Sequence, residues 1–227
     1  MSTRGDLILT TFGPLTVGYD ERVLEPRPWT LLQAEWAIER SDDLGPGPVL
    51  ELCCGAGQIG QVVALRTGRG LLQVDASPIA CRHARANARR NGLEDQVQVR
   101  QAGITAGDRP DLGAHAFPLV VADPPYVPSA DCEQFPDDPP LAIDGGPDGL
   151  DVVEVVAASI AHHLAPDGMA LLQVRGPAQV DDLEARDLLG LEVTDIRSHD
   201  AERAVALLRP APASDRPVPR AGGQLTG

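Results

Sequence analysis

Residues 48–77, "PVLELCCGAGQIGQVVALRTGRGLLQVDAS", constrain the fold more than any other stretch. A short apolar run bounded by proline and glycine predicts a buried strand. Gly55, Gly57 and Gly60 then mark a tight turn. Apolar residues at helical spacing continue to Gly68, a stop signal for a helix. A second apolar run, "GLLQVDAS", predicts a second strand. A strand, a glycine turn, a helix and a strand in so short a span set the two strands parallel, joined by a right-handed crossover.

The alternation continues along the chain. Ser77 suits a helix N-cap, Pro78 its first turn and Gly92 its C-terminal stop. "QVQVRQAG" and "FPLVVADPPY" predict strands, and "LDVVEVVAASIAHHLAPDG" a long helix. "MALLQVRG" predicts a strand and "VDDLEARDLLG" a helix, and "LEVTDIRS" and "RAVALLRP" close the pattern as two strands. The prediction is a Rossmann-like α/β fold, a seven-stranded, mostly parallel sheet with helices on both faces. At 227 residues and 43% hydrophobic, the chain suits one such domain, placed at residues 26–209. Residues 1–25, with "LTVGYDERVLEP", are expected to form an arm or a hairpin. Residues 210–227, rich in proline, glycine and small residues, are expected to be a disordered tail.

Composition removes several functions. The formal net charge is -14, whereas proteins that grip a phosphate backbone gather Lys and Arg. A nucleic-acid partner is therefore disfavoured, and the local run Arg82, Arg85, Arg89 and Arg90 reads as a solvated helix face. No stretch approaches the roughly 18 apolar residues of a membrane span, and the N-terminal stretch carries no secretion signal. Cys53, Cys54, Cys81 and Cys132 follow no zinc spacing. They read as reduced thiols of a cytoplasmic protein with no metal site.

The glycine turn is ambiguous by itself. Gly55, Gly57 and Gly60 spell G-x-G-x-x-G, a pattern shared with dinucleotide sites, so a nicotinamide-dependent oxidoreductase stays open. Glu51 shifts the balance, because a carboxylate beside the loop repels a diphosphate and attracts a cationic group. Asp75, at the end of the second strand, can accept hydrogen bonds from two ribose hydroxyls whichever nucleoside is bound.

The other chemical signal is "VVADPPYVPS", residues 120–129. Two prolines end the strand, since proline donates no ladder hydrogen bond. They also hold the Pro124 carbonyl rigidly, next to the side-chain oxygens of Asp123. Two fixed acceptors can grip the N–H hydrogens of an amide or aromatic amine and aim its lone pair. Tyr126 can pack on a planar group or lie near a positive charge. The Pro/Gly-rich segment onward to Asp151, with Asp138, Asp144 and Asp148, has the length of a functional lid. His162 and His163 lie late in a helix and read as structural.

"ELCCGAG", "VDAS" and "DPPYVP", in this order and spacing, resemble the class I S-adenosylmethionine-dependent methyltransferases. More narrowly, the chain resembles the HemK-type release-factor glutamine methyltransferases. "VLEPRPWT" is similar to their PRP-x-T segment, "LAIDGGPDGLDVV" to a later glycine-rich segment and "HLAPDGMALLQV" to the strand region beyond it. The resemblance covers roughly residues 17 to 209. It implies an antiparallel last strand. It implies S-adenosylmethionine held by Glu51, Cys53, Gly55, Gly57, Asp75, Ala76 and Asp123, with adenine near Ala102 and Gly103. It implies a catalytic group of Asp123, Pro124 and Tyr126. It also implies an acceptor met by Pro125, Tyr126, Asp138, Pro28 and Thr30. The implied reaction is methyl transfer to a nitrogen of a protein glutamine-type or small-molecule acceptor.

Two features depart from that family. Its members carry an N-terminal helical domain that helps hold the protein substrate, and here 25 residues precede "PRPWT". They also have Asn-Pro-Pro-Tyr where this chain has Asp123. Asn offers a donor and an acceptor, which matches a carboxamide, whereas ionised Asp only accepts. Asp123 therefore suits an amine, an amino-substituted ring or a guanidine, and can take a proton as a general base. Relatives with Asp-Pro-Pro-Tyr methylate exocyclic amino groups of nucleic-acid bases. That acceptor is one alternative, and a non-catalytic cofactor-binding subunit is another.

Overall fold

The computed structural model describes residues 5–104, 110, 112–113, 116–186 and 188–212. In chain order its elements are β1 Ile8–Phe12, β2 Leu15–Tyr19, α1 Leu31–Ser41, β3 Val49–Leu52, α2 Gln58–Thr67, β4 Leu71–Asp75, α3 Pro78–Arg90, β5 Val97–Gln101, β6 Phe117–Ala122, α4 Pro140–Ile143, α5 Asp151–His163, β7 Leu164–Val174, α6 Pro177–Glu184, β8 Leu191–Asp200 and β9 Arg203–Pro210. The caps follow the sequence signals. Ser77 Oγ accepts from the backbone N–H groups of Ile79 and Ala80, and Gly68 ends α2 at a φ of 71°.

β1 and β2 pair as an antiparallel hairpin. The other strands form one seven-stranded sheet in the order β5-β4-β3-β6-β7-β9-β8. β3 pairs in parallel with β4 and β6, β4 with β5, and β6 with β7. β9 inserts between β7 and β8 and runs antiparallel to both. The predicted sheet is thus present, with its last strand reversed.

β3 and β6 are buried along their whole length, as strands covered on both faces must be. Their side chains alternate between the two faces. Val49, Leu119 and Val121 enter one core with Trp36 of α1, Ile59 and Val62 of α2, Ala80 and Ala88 of α3, and the hairpin. Leu50, Leu52, Val120 and Ala122 enter the other with Val153, Val156 and Ile160 of α5 and Val180 and Leu183 of α6. Among the described residues no helix is long and apolar enough to cross a membrane.

Two boundaries differ from the sequence reading. β7 begins directly after α5, because Leu164 pairs with Phe117 well before the apolar run at Met169. At the other end, the sequence reading opens the tail at Pro210, yet this residue closes β9 by pairing with Leu191. The rest of the expected tail, from residue 213 on, lies outside the described residues.

Candidate active site

β3 carries the glycine turn to the carboxyl edge of the sheet. There the strand order reverses between β3 and β6, the place where open α/β sheets take ligands. Gly57, at a φ of 88°, precedes α2, and a Cβ on it would strike the side-chain amides of Gln61 and Gln73. Gly60 is required for a different reason. Its N–H donates to Glu51 Oε1 at 3.0 Å, and a Cβ would collide with the same carboxylate. Gln73 Nε2 donates to Glu51 and, at 3.0 Å, to the carbonyl of Gly57, while Gln61 Nε2 donates to Gln73 Oε1 at 3.0 Å. This buried network fixes the loop from below. Burial pushes the Glu51 carboxyl up to about 7, against the hydrogen bonds from Gln73 and Gly60.

Above the loop lies a cleft lined by Cys53, Gly55, Asp75, Ala76 and Asp123, among others. Gly55 has a φ of 53°, and a Cβ on it would meet nothing within 4 Å, so the backbone leaves open room for a ligand. Asp75 is held in place: its Oδ2 accepts from Gly55 N–H and its Oδ1 from Ser77 N–H, each at 2.8 Å. Each oxygen keeps acceptor capacity for a ribose hydroxyl. The three carboxyl groups Glu51, Asp75 and Asp123 lie close enough for the latter two to raise the pKa of the first. An open glycine, a fixed acceptor at a strand end and grouped carboxyls fit a nucleoside bearing a sulfonium cation.

A second cavity, of about 320 Å³, adjoins the first. Thr30, Asp123, Pro124, Tyr126 and Asp138 line it, with Trp29, Arg175 and Arg203. Asp123 lines both cavities. Among the described residues neither its carboxylate nor the Pro124 carbonyl accepts a hydrogen bond. Burial pushes the Asp123 carboxyl up to about 7. Gln33 Nε2 pins the strand end beneath it, donating to the carbonyls of Ala122 at 2.9 Å and Leu171 at 2.8 Å. The Tyr126 phenol is also pushed up, by burial first and by Asp123 second. Its backbone carbonyl accepts from Gln179 Nε2 at 3.1 Å. Arginine–aspartate pairs surround this cavity: Arg27 with Asp138, Arg175 with Asp131 and Arg203 with Asp200. The Arg203 guanidinium also lies 3.9 Å from the Trp29 ring centre.

Of the residues expected at the cofactor, Cys53, Gly55, Asp75, Ala76 and Asp123 line the first cleft, while Glu51, Gly57 and Gly103 do not. Glu51 is 2% exposed and shares the α2 face with Val49 rather than opening toward a ligand. Strand alternation carries that signal, since Glu51 is two residues from Val49. Near the expected adenine position the lining residue is Ile104, next to Gly103. Tyr126, Thr30 and Asp138 line the second cavity, whereas Pro125 lines the first. Pro28 opens a 3-10 turn, Pro28–Thr30, and faces solvent. Asp144 and Asp148 are occupied elsewhere, by Ser129 and Arg186. Asp151 begins α5.

Sequence reasoning missed Arg22, Gln58, Trp29, Arg175 and Arg203. Only Trp29 carried a signal, as one of two tryptophans in a chain with 3% aromatics. Among the described residues no group of three or more His, Cys, Asp or Glu could hold a metal ion.

Residues 49–135 match the family described as "Methyltransferase domain". A release factor glutamine methyltransferase of Rhodospirillum rubrum is 38% identical over 183 residues, which are 78% of this chain and 52% of that protein. One of Mycolicibacterium smegmatis is 35% identical, over 71% of this chain and 57% of the relative. A ribosomal protein uL3 glutamine methyltransferase of Bradyrhizobium diazoefficiens is 30% identical, over 72% and 54%. The chain therefore spans little more than half the length of these relatives. Among solved structures, the ribosomal protein L11 methylase of Lactobacillus delbrueckii has a TM-score of 0.61 at 16% identity, covering 85% of this chain and 83% of the other. A Pyrococcus abyssi tRNA (uracil-54, C5)-methyltransferase in complex with S-adenosyl-L-homocysteine has a TM-score of 0.58 at 15% identity, covering 89% and 44%. At such identities the likeness is one of fold alone. In its strand order, its glycine cleft and these sequence matches, the chain is similar to the S-adenosylmethionine-dependent methyltransferases.

Proposed function

We propose that the protein transfers the methyl group of S-adenosylmethionine to a nitrogen, with a glutamine-type side chain of a protein as the first acceptor class. The observation that carries this reading is the position of Asp123 and Pro124. Asp123 lies where the two cavities meet, with acceptors that no other described residue uses. The names of the relatives, which specify glutamine in a release factor or in ribosomal protein uL3, support the acceptor class. S-adenosylmethionine, when bound, supplies an electrophilic methyl carbon. The chain's own groups do the rest. Asp123 and the Pro124 carbonyl accept the N–H hydrogens of the acceptor and direct its lone pair across the boundary. Near-attack distance is about 3 to 3.5 Å. The Tyr126 ring packs against the acceptor plane. A carboxyl pushed up to about 7 can also hold the proton that the nitrogen gives up near neutral pH.

One observation favours a second acceptor class, a small-molecule amine. Asp123 replaces the Asn of the resembled family and, when ionised, offers no donor to a carboxamide oxygen. Residues 26–209 are taken as the methyltransferase domain, acting in the cytoplasm. A labelled-methyl assay tests the reading, with release factors, ribosomal proteins, total RNA and a metabolite extract offered in parallel. Label in protein or in a small amine upholds nitrogen transfer to those classes. Label in RNA alone transfers the assignment to base amino groups. Cofactor binding with no label anywhere points to a non-catalytic subunit. A thermal-shift comparison with NAD and NADP closes the oxidoreductase alternative, since stabilisation by the nicotinamides alone contradicts methyl transfer.

A further inference from the structure

The cofactor cleft contains one cation among its described lining residues, Arg22. The other charged groups there, Asp75 and Asp123, are acids. Arg22 follows the hairpin and is not a loose surface residue. Its Nε donates to Asp20 Oδ1 at 3.0 Å, and its Nη2 donates to Asp20 Oδ2 at 2.6 Å. Asp20 is 3% exposed, and its Oδ2 also meets His83 Nε2 of α3 at 2.9 Å. The hairpin that presents this group is tied to the glycine loop. Asn87 Nδ2 donates to the carbonyls of Gly18 and Ala56, each at 2.9 Å.

Gln58 lies on the same cleft lining, as the first residue of α2. Its Oε1 is buried and accepts no hydrogen bond among the described residues. A buried acceptor left unused is costly, so a donor arriving from a ligand gains by meeting it.

S-adenosylmethionine has one anionic group, the α-carboxylate, beside an α-ammonium. The reading above sets its ribose at Asp75, at the end of β4, and its sulfonium toward Asp123, past the end of β6. The amino-acid end then remains for the loop between them and its roof. We propose that Arg22 and Gln58 hold this end of the cofactor, the carboxylate on the Arg22 guanidinium and the ammonium on the Gln58 carbonyl oxygen. A guanidinium has five N–H donors in a planar fork, so a ligand carboxylate can share it with Asp20. Asp20 and His83 act as positioning residues, holding that fork in place before the ligand arrives. This assignment rests on the methyltransferase reading and extends it to residues of the hairpin segment and α2.

Calorimetry on the full chain tests it with two ligands. S-adenosylhomocysteine carries the amino-acid end, and 5'-methylthioadenosine is the same thionucleoside without it. Arg22→Ala is expected to weaken S-adenosylhomocysteine about thirtyfold and methylthioadenosine less than about twofold, as for loss of a charge-assisted contact. Arg22→Lys restores part of the loss. Gln58→Ala costs about threefold, again for S-adenosylhomocysteine alone. Should Arg22→Ala not fold, the wild-type protein serves. It is expected to bind S-adenosylhomocysteine at least about tenfold more tightly than its decarboxylated analogue. Equal weakening of both ligands by Arg22→Ala, or no wild-type preference for the carboxylate, overturns the assignment and leaves the cleft's cofactor unchanged. Binding of neither nucleoside by the wild type overturns the assignment together with the methyltransferase reading beneath it.

Discussion

The two cavities that meet at Asp123 are built by different means. The first cleft draws half of its lining from one contiguous stretch, Cys53 to Ala80, and backbone geometry shapes that stretch. Gly55 opens the space, Gly57 and Gly60 let the loop close over Glu51 and Gln73, and backbone N–H groups aim Asp75. The second cavity, which we propose takes the acceptor, gathers residues from far apart in the chain, from Leu24 to Arg203, and side chains dominate it. Its walls carry the ion pairs Arg27–Asp138 and Arg175–Asp131 and the Trp29–Arg203 contact. One cavity is thus shaped more by conformation, the other more by side-chain composition.

The largest test of that division is at its border. Asp123→Ala is expected to lower kcat about 1,000-fold while S-adenosylhomocysteine affinity stays within about tenfold. An equal fall in affinity would move Asp123 wholly to the cofactor side. Asp75→Ala should do the opposite: by calorimetry, affinity falls about 30- to 100-fold, as expected when charge-assisted hydrogen bonds are removed.

A pH series gives a third and smaller effect. The Asp123 carboxyl, pushed up to about 7, is mostly protonated at pH 6 and ionised at pH 8. A sulfonium favours the ionised form, so binding expels a proton and affinity rises with pH through neutrality. The slope approaches about tenfold per unit below the pKa. Asp123→Asn is expected to flatten most of it, while a flat wild-type profile rules out a carboxyl that titrates there.

Gly149→Ala perturbs the acceptor side alone. Gly149 has a φ of 80°, and a Cβ would strike the Tyr126 carbonyl. The acceptor KM should rise about tenfold and stability fall by about 1 to 3 kcal/mol, with S-adenosylhomocysteine affinity unchanged in the folded fraction. Trp29→Ala is the mildest change. Loss of its contact with Arg203 corresponds to about 0.5 to 1 kcal/mol, roughly a two- to fivefold rise in acceptor KM.

The contrast also explains what the sequence disclosed. The cofactor side was legible because local rules govern it: Ser77 caps a helix, Gly68 ends one, and Asp75 falls where a strand gives way to a helix. Glu51 was misplaced only in its facing, which the two-residue period of the strand decides. At the second cavity the sequence points to Asp123, Pro124 and Tyr126, where a strand end and two prolines announce a fixed geometry, and all three line it. Arg175 and Arg203 carried no such mark. They reach the site because β9 lies next to β7, and no local pattern encodes that pairing. Arg22 pairs with Asp20 only two residues away, but Asp20 meets His83 only after the hairpin docks on α3.

The insertion of β9 has a consequence for how the protein comes into being. β8 pairs with β9 and with no other described strand, and β9 is the last strand described. On a ribosome, β8 emerges before it has a neighbour, and waits until β9 threads in beside β7. Arg203, which lines the second cavity, arrives with β9, and Glu202 just before it. A nascent chain can therefore assemble the cleft beside its glycine loop while the second cavity still lacks a wall.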